Sequence, residues 1–216
     1  ADICLQEKSL DPAVRKDVES IKRSALRCQN MVSGILGAAG KEKAPRVPCE
    51  IHEIIESAVE LCGNIFENAG ITIQKQFTLH PLHVLACSEQ LERLFLNLLG
   101  NAAKAMPSGG ALTIQTQTDC GREGRSKAQV IVEDTGAGIS AEAMAKLFEP
   151  FSTTRPLEGG TGLGLYLCRD IALKHGGCLQ AENGRAGGAR FILSLPLEPA
   201  TTPSQKPKSI PAPLAG

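Results

Sequence analysis

Residues 91–106 read LERLFLNLLGNAAKAM. Asn97 and Asn101 stand four residues apart and Lys104 three further on, which places all three along one stripe of a helix whose neighbours are leucines. A half-buried asparagine leaves polar atoms that cost about 1–3 kcal/mol each if unpaired. Two of them in an otherwise apolar helix point to a partner the chain does not provide or, taken alone, to bonds with the neighbouring backbone.

Two glycine-bearing segments follow. Residues 129–140, QVIVEDTGAGIS, form an apolar strand that ends at Asp134, with Gly136 and Gly138 beyond it. A carboxylate at a strand end can accept from an exocyclic amine, and glycines let a flat ring approach the backbone. Asp and Gly are equally the commonest turn residues. Residues 159–168, GGTGLGLYLC, set Gly159, Gly160, Gly162 and Gly164 before a helix start, where backbone N–H groups can face phosphate oxygens. The pattern is neither a dinucleotide fingerprint with its ribose-binding acid nor a P-loop, since no lysine follows the glycines.

Around these segments the pattern predicts helices over about 51–67, 88–106, 141–147 and 164–175, and strands near 71–77, 83–86, 111–118, 129–133, 178–182 and 190–195. Strands outnumber helices and turns such as PSGG look hairpin-like, so the expected class is α+β, with helices packed on one face of a mixed sheet. Upstream, Asp11-Pro12 opens a helix whose apolar residues Val14, Val18, Ile21, Ala25, Cys28, Val32, Ile35 and Ala39 recur in alternating steps of four and three. Such a seam needs a partner helix. GKEKAPRVPCE breaks it and reads as a linker, while PATTPSQKPKSIPAPLAG beyond Leu197 reads as a disordered tail or linker. The expected division is 1–40, 41–50, 51–197 and 198–216.

Composition bounds the partners. Lys plus Arg and Asp plus Glu both number 23, and no basic face stands out for nucleic acid. The longest mainly apolar uncharged stretch, CQNMVSGILGAAG, has 13 residues where a membrane span needs about 20. ADICLQEKSL lacks the basic start and apolar middle of a secretion signal, so a cytoplasmic chain is expected, compatible with having been cut from a longer one. Eight cysteines form no CxxC pair, which favours a reduced compartment and no zinc site.

The asparagine helix, DTGAGI (134–139), LFEPFSTT (147–154) and GGTGLGL (159–165) follow the order of the N, G1, F and G2 boxes. Over residues 46–197 the chain closely resembles the catalytic ATP-binding domain of sensor histidine kinases, in the GHKL superfamily. NLLGNAAKAMPSGG, LFEPFSTTRPLEGGTGLGLYLCRDIALKHGG and GGARFILSLP look most similar to soluble or PAS-linked kinases related to nitrogen regulation. Residues 11–39 resemble the second helix of the dimerisation hairpin that precedes this domain.

The resemblance implies a two-layer α/β sandwich of the Bergerat type, with an ATP pocket between sheet and helices and a mobile lid over roughly 153–160. By motif position it implies that Asp134 takes the adenine amine, that Asn101 coordinates a Mg²⁺ bridging the phosphates, and that Asn97 and Lys104 support phosphates or metal. Gly136, Gly138 and Ile139 would shape the adenine wall. Gly160, Thr161, Gly162, Leu163, Gly164 and Leu165 would close over the phosphates, with Phe148, Phe151, Thr153 and Thr154 at the hinge. The implied partners are a response-regulator receiver domain and, in the full-length protein, a second copy of the chain. Cys87 departs from the pattern, standing where many relatives carry a capping aspartate.

Two rivals share the fold. ATP hydrolases of this superfamily carry a glutamate four residues before the metal-binding asparagine; here that position is Asn97, which cannot accept a proton. An acceptor-free nucleotide-binding or scaffold module is the alternative, because none of the four histidines (His52, His80, His83, His175) precedes the bundle helix. The favoured expectation is a truncated kinase that binds Mg-ATP without phosphorylating itself. CEIHEIIESAV begins like an acceptor motif at His52, but the Asn or Thr followed by proline is missing. His52 instead borders a buried face of Ile51, Ile54, Ile55, Ala58, Val59 and Cys62, with Glu56 as the expected partner one turn on.

Overall fold

The computed structural model describes residues 45–120, 126–153, 161–184 and 187–198, together with Val14 and Val18, both helical. The rest of the expected bundle helix, the linker up to 44, the lid over 154–160 (with Thr154 and Gly160) and the tail from 199 lie outside the described residues.

The first described element departs from the linker reading. Val47–Glu50 is a strand, β1, paired antiparallel with β3 (His83–Ala86) so that Val47 faces Ala86 and Glu50 faces His83. Both strands of this two-stranded ribbon are edges, the place in a sheet where a proline such as Pro48 is tolerated. Helix α1 (Ile51–Ala69) follows and buries the expected face, extended by Phe66. It stops at Gly70, whose φ of 67° is the left-handed value of a helix C-cap.

Strand β2 (Ile71–Gln76), helix α2 (Ser88–Ala105), strands β4 (Gly110–Cys120) and β5 (Ser126–Asp134) and the short helix α3 (Ala141–Ala145) come next. Helix α4 (Gly164–Lys174) and strands β6 (Cys178–Asn183) and β7 (Ala189–Pro196) complete the domain. The main sheet has the order β2-β4-β5-β7-β6; β2 and β4 run parallel and the other neighbours antiparallel. The PSGG segment is therefore no hairpin: it links α2 to β4. Gly109 has a φ of 88°, and a Cβ there would lie 2.8 Å from the Gly70 carbonyl, so this crossing of two connections requires glycine.

Alternation along the strands sends one face inward. Leu112 and Ile114, then Ala128, Val130 and Val132, then Phe191, Leu193 and Leu195 are buried and join Leu91, Leu94, Phe95, Leu98 and Leu99 of α2 in one core. Each large side chain among them contributes about 1.5–3 kcal/mol by burial. The opposite face carries polar pairs around Ile131: Gln115 bonds Gln76, and Arg190 meets Glu133 and Glu182 across three strands. The apolar row on β5 ends at Asp134, a carboxylate only 4% exposed, in line with Val130 and Val132.

His52 does not pair with Glu56. Its Nδ1 lies 3.1 Å from Glu50, its Nε2 2.9 Å from the Thr116 hydroxyl, and its ring stacks on Phe77 at 4.7 Å, whereas Glu56 binds Lys75. The i,i+4 expectation fails because the Thr116 hydroxyl and the Phe77 ring come from the sheet side, where the side chain leaves solvent. Burial pushes the Glu50 carboxyl up, but the N–H groups of Leu82 and Glu53 outweigh it and hold the carboxyl below its ordinary value.

Cys87, at the N-cap of α2, provides no side-chain cap, as its identity implied. Its N–H instead donates to Nε2 of His175, whose Nδ1 donates to the Ile171 carbonyl. His175 is 6% exposed, and burial, with a smaller push from Arg46, lowers its pKa below 6.5. Protonation would remove the acceptor from the Cys87 N–H. The unfolded chain therefore takes up the proton first. Stability should be level above pH 6.5 and fall as pH drops from there to the lower folded pKa. Denaturant midpoints between pH 8 and 5 check this, and replacing His175 with Asn should remove that share of the slope.

Candidate functional site

Helix α2 buries Leu91, Leu94, Phe95, Leu98, Leu99, Ala102 and Ala103 and leaves Asn97, Asn101 and Lys104 on the adjoining stripe. Asn97 and Asn101 are half-buried and Lys104 is exposed. For Asn97 the structure shows the bond to neighbouring backbone. Its Nδ2 donates to the Arg93 carbonyl at 3.0 Å, while its Oδ1 faces Gly164, where a Cβ would approach it to 3.3 Å. The Asn101 amide makes no hydrogen bond among the described residues.

At the end of β5, Oδ1 of Asp134 accepts from the N–H groups of Gly136 (2.9 Å) and Ala189 (3.1 Å). Both bonds fix the carboxylate plane and leave Oδ2 uncommitted to either. Gly136 packs on the last turn of α2, where a Cβ would come within 2.6 Å of the Ala105 carbonyl. This contact carries the glycine turn up against the helix that bears the asparagines.

The glycine-rich segment reaches the same helix about two turns earlier, at Asn97. Gly162 has a φ of 67°, and a Cβ on it would lie 2.4 Å from the Phe151 carbonyl carbon, so the two backbones touch with no side chain between. Phe151 itself has a φ of 64°, uncommon for a bulky residue. Leu163 is buried, and Ile139, Phe148 and Leu165 pack against the core from its edge. Arg169 on α4 sits over the Phe148 ring at 5.5 Å. Leu163 offers no side-chain cap to α4, so among the described residues no cap takes the first N–H groups of that helix.

The structure thus sets Gly164 against Asn97 at the middle of α2 and the Asp134–Gly136 turn against its last turn, with Asn101 between them along the stripe. Thr161 supports Leu163 through its hydroxyl, which lies 3.4 Å from the Leu163 N–H. Residues outside the boxes take part as well: Gly188 lies so close to Asp134 that a Cβ would come within 1.7 Å of its carbonyl, and Asn183 binds the backbone of Ile139. The signals for them were turn residues, Asn183-Gly184 and Gly187-Gly188, around the last hairpin. Among the described residues no group of His, Cys, Asp and Glu could hold a metal by itself. No described helix is long and apolar enough to cross a membrane.

A family profile for histidine kinase-, DNA gyrase B- and HSP90-like ATPases matches residues 87–199. The chain is 31% identical over 208 residues to hybrid signal transduction histidine kinase D of Dictyostelium discoideum, covering 92% of this chain and 13% of that protein. It spans less than half the length of the curated relatives it matches first. Among solved structures, the mycobacterial sensor histidine kinase MprB superposes with a TM-score of 0.61 at 30% identity, covering 71% of this chain and 99% of that one. Histidine kinase ThkA, solved in complex with the response regulator protein TrrA, gives a TM-score of 0.69 at 26% identity, over 90% of this chain and 55% of that one.

Proposed function

Since the chain belongs to the histidine kinase-, DNA gyrase B- and HSP90-like ATPase family, as a catalytic ATP-binding domain of the sensor histidine kinase kind, we propose that it presents the γ-phosphate of Mg-ATP to a histidine on a dimerisation helix. Relay to a response-regulator aspartate follows in this reading, in keeping with the complex in which ThkA was solved. The observation that carries the nucleotide assignment is Asp134: a buried carboxylate, held by two backbone N–H groups through one oxygen, at the head of a glycine turn.

Asn101 fits a hard cation, since its amide oxygen is uncommitted among the described residues and one neutral oxygen with phosphates and water suits Mg²⁺. Such a cation would neutralise phosphate charge there. The chain's own groups do the rest. Asp134 orients the base, Asn97 and the first N–H groups of α4 face the phosphates, and Lys104 adds positive charge at the end of the stripe. The position that serves as water's base in hydrolases holds Asn97, whose Nδ2 is tied to Arg93, so an external nucleophile fits better than an activated water. An acceptor-free nucleotide-binding module is the second reading.

The chain should bind Mg-ATP, raising its stability by about 2.7 kcal/mol at a hundredfold excess over Kd, yet acquire no phosphate of its own. Acid-labile labelling of the chain by ATP would contradict the assignment of the acceptor to another helix. Asn101→Ala should weaken ATP chiefly when Mg²⁺ is present, by about 1–3 kcal/mol. Titration calorimetry with and without Mg²⁺ decides this, and equal losses in both conditions remove the metal role from Asn101.

A further inference from the structure

Asn183, the last residue of β6, lies outside every box from which the nucleotide site is read. Its Oδ1 accepts from the Ile139 N–H and its Nδ2 donates to the Ile139 carbonyl, both at 2.8 Å. This is the pair of bonds that a neighbouring strand offers one residue, made here by a side chain 44 positions away. Gly138, next to Ile139, has a φ of 72°, and a Cβ there would sit 3.1 Å from Asn183 Oδ1. The amide is therefore seated against the glycine turn itself.

The turn is anchored at both ends. Asp134 holds it at Gly136 and Asn183 holds it at Ile139. Ala189, paired with Asn183 at the start of β7, supplies the N–H that orients Asp134. Asn183 is exposed, so water could satisfy both Ile139 groups. Satisfaction alone does not call for an asparagine here; the reciprocal pair adds a fixed direction for the Ile139 peptide and hence for the wall made by Gly136, Gly138 and Ile139.

We propose that Asn183 is a positioning residue of the adenine pocket, acting through Ile139 to hold the glycine turn in register with Asp134. The inference rests on the reading of Asp134 and the glycine turn as the adenine site. It concerns recognition of the base, and the phosphate-facing groups on α2 and α4 do not enter it. Asn183→Asp keeps an acceptor for the Ile139 N–H but places a second acceptor against the Ile139 carbonyl, so it separates the two bonds.

Calorimetry with ADP and GDP on the unaltered chain and on Asn183→Ala tests it, alongside melting of the ligand-free proteins. Asn183→Ala should lower ADP affinity roughly fivefold and narrow the preference for ADP over GDP. ADP affinity within twofold of the unaltered chain, or equal loss for ADP and GDP, overturns the proposal even if the melting temperature falls. If Asn183→Ala does not fold, Asn183→Asp is read by the same criteria. Absence of ADP binding to the unaltered chain would overturn the adenine-site reading first, and this inference with it.

Discussion

Asp134→Asn should leave the fold in place and cost about 1–3 kcal/mol of adenine-nucleotide affinity, a loss of roughly five- to 150-fold. The amide oxygen can take over from Oδ1 as acceptor for the Gly136 and Ala189 N–H groups, which are 2.9 and 3.1 Å away. That choice turns the NH₂ to the side where Oδ2 stood. An exocyclic amine then meets a donor in place of an acceptor, and a buried donor without a partner is the costly case. Burial sharpens the effect, since at 4% exposure little water is available to substitute. ADP titration with the melting curve of the ligand-free variant provides the check: unchanged affinity in a folded variant would sink the adenine assignment, whereas a collapsed melting temperature would assign Asp134 to the fold alone.

Gly188→Ala should destabilise the domain by about 2–5 kcal/mol, the sum of a left-handed residue with a side chain and of an overpacked contact. Gly188 has a φ of 76°, and its Cβ would be built 1.7 Å from the Asp134 carbonyl oxygen and 3.0 Å from Oδ1. No rotamer of alanine relieves a clash with backbone; the β6–β7 turn has to move. Because Ala189 orients Asp134, that movement should also weaken nucleotide binding in the fraction that folds. Gly187→Ala is the matched control: its φ is 93°, but nothing lies within 4 Å of the added methyl, so only the conformational cost of about 1–2 kcal/mol is expected. Urea midpoints of the two variants test the difference, and equal midpoints would show that the close approach to Asp134 carries no energy.

The main sheet and its helices were legible in the residues because each element has a period of its own. Ile51, Ile54, Ile55, Ala58, Val59 and Cys62 describe one face of α1 before any contact is known, and all six are buried. The apolar run of QVIVED likewise marks strand β5 as ending at Asp134, where the structure ends it. The candidate site was legible for a related reason: a polar stripe on α2 and glycines at strand and helix ends are local patterns, and local patterns survive without tertiary structure. Two local signals misled. Prolines around Pro48 hid β1, because pairing with β3 is a property of both segments, and PSGG has the composition of a hairpin turn while joining a helix to a parallel strand.

By itself, then, the sequence set the local patterns from which the candidate site is read: the asparagine stripe, the carboxylate at the end of β5 and the glycines at the start of α4. Only the tertiary structure decided how they are held. Cys87 and His175 are 88 residues apart, His52 and Thr116 64, Asp134 and Ala189 55, and Ile139 and Asn183 44. Such partners are set by strand register and by the seating of helices on the sheet, and neither leaves a periodic trace in the chain. His52 shows the consequence most plainly: Glu56, one turn on, binds Lys75, while the register of β4 brings the Thr116 hydroxyl to its Nε2.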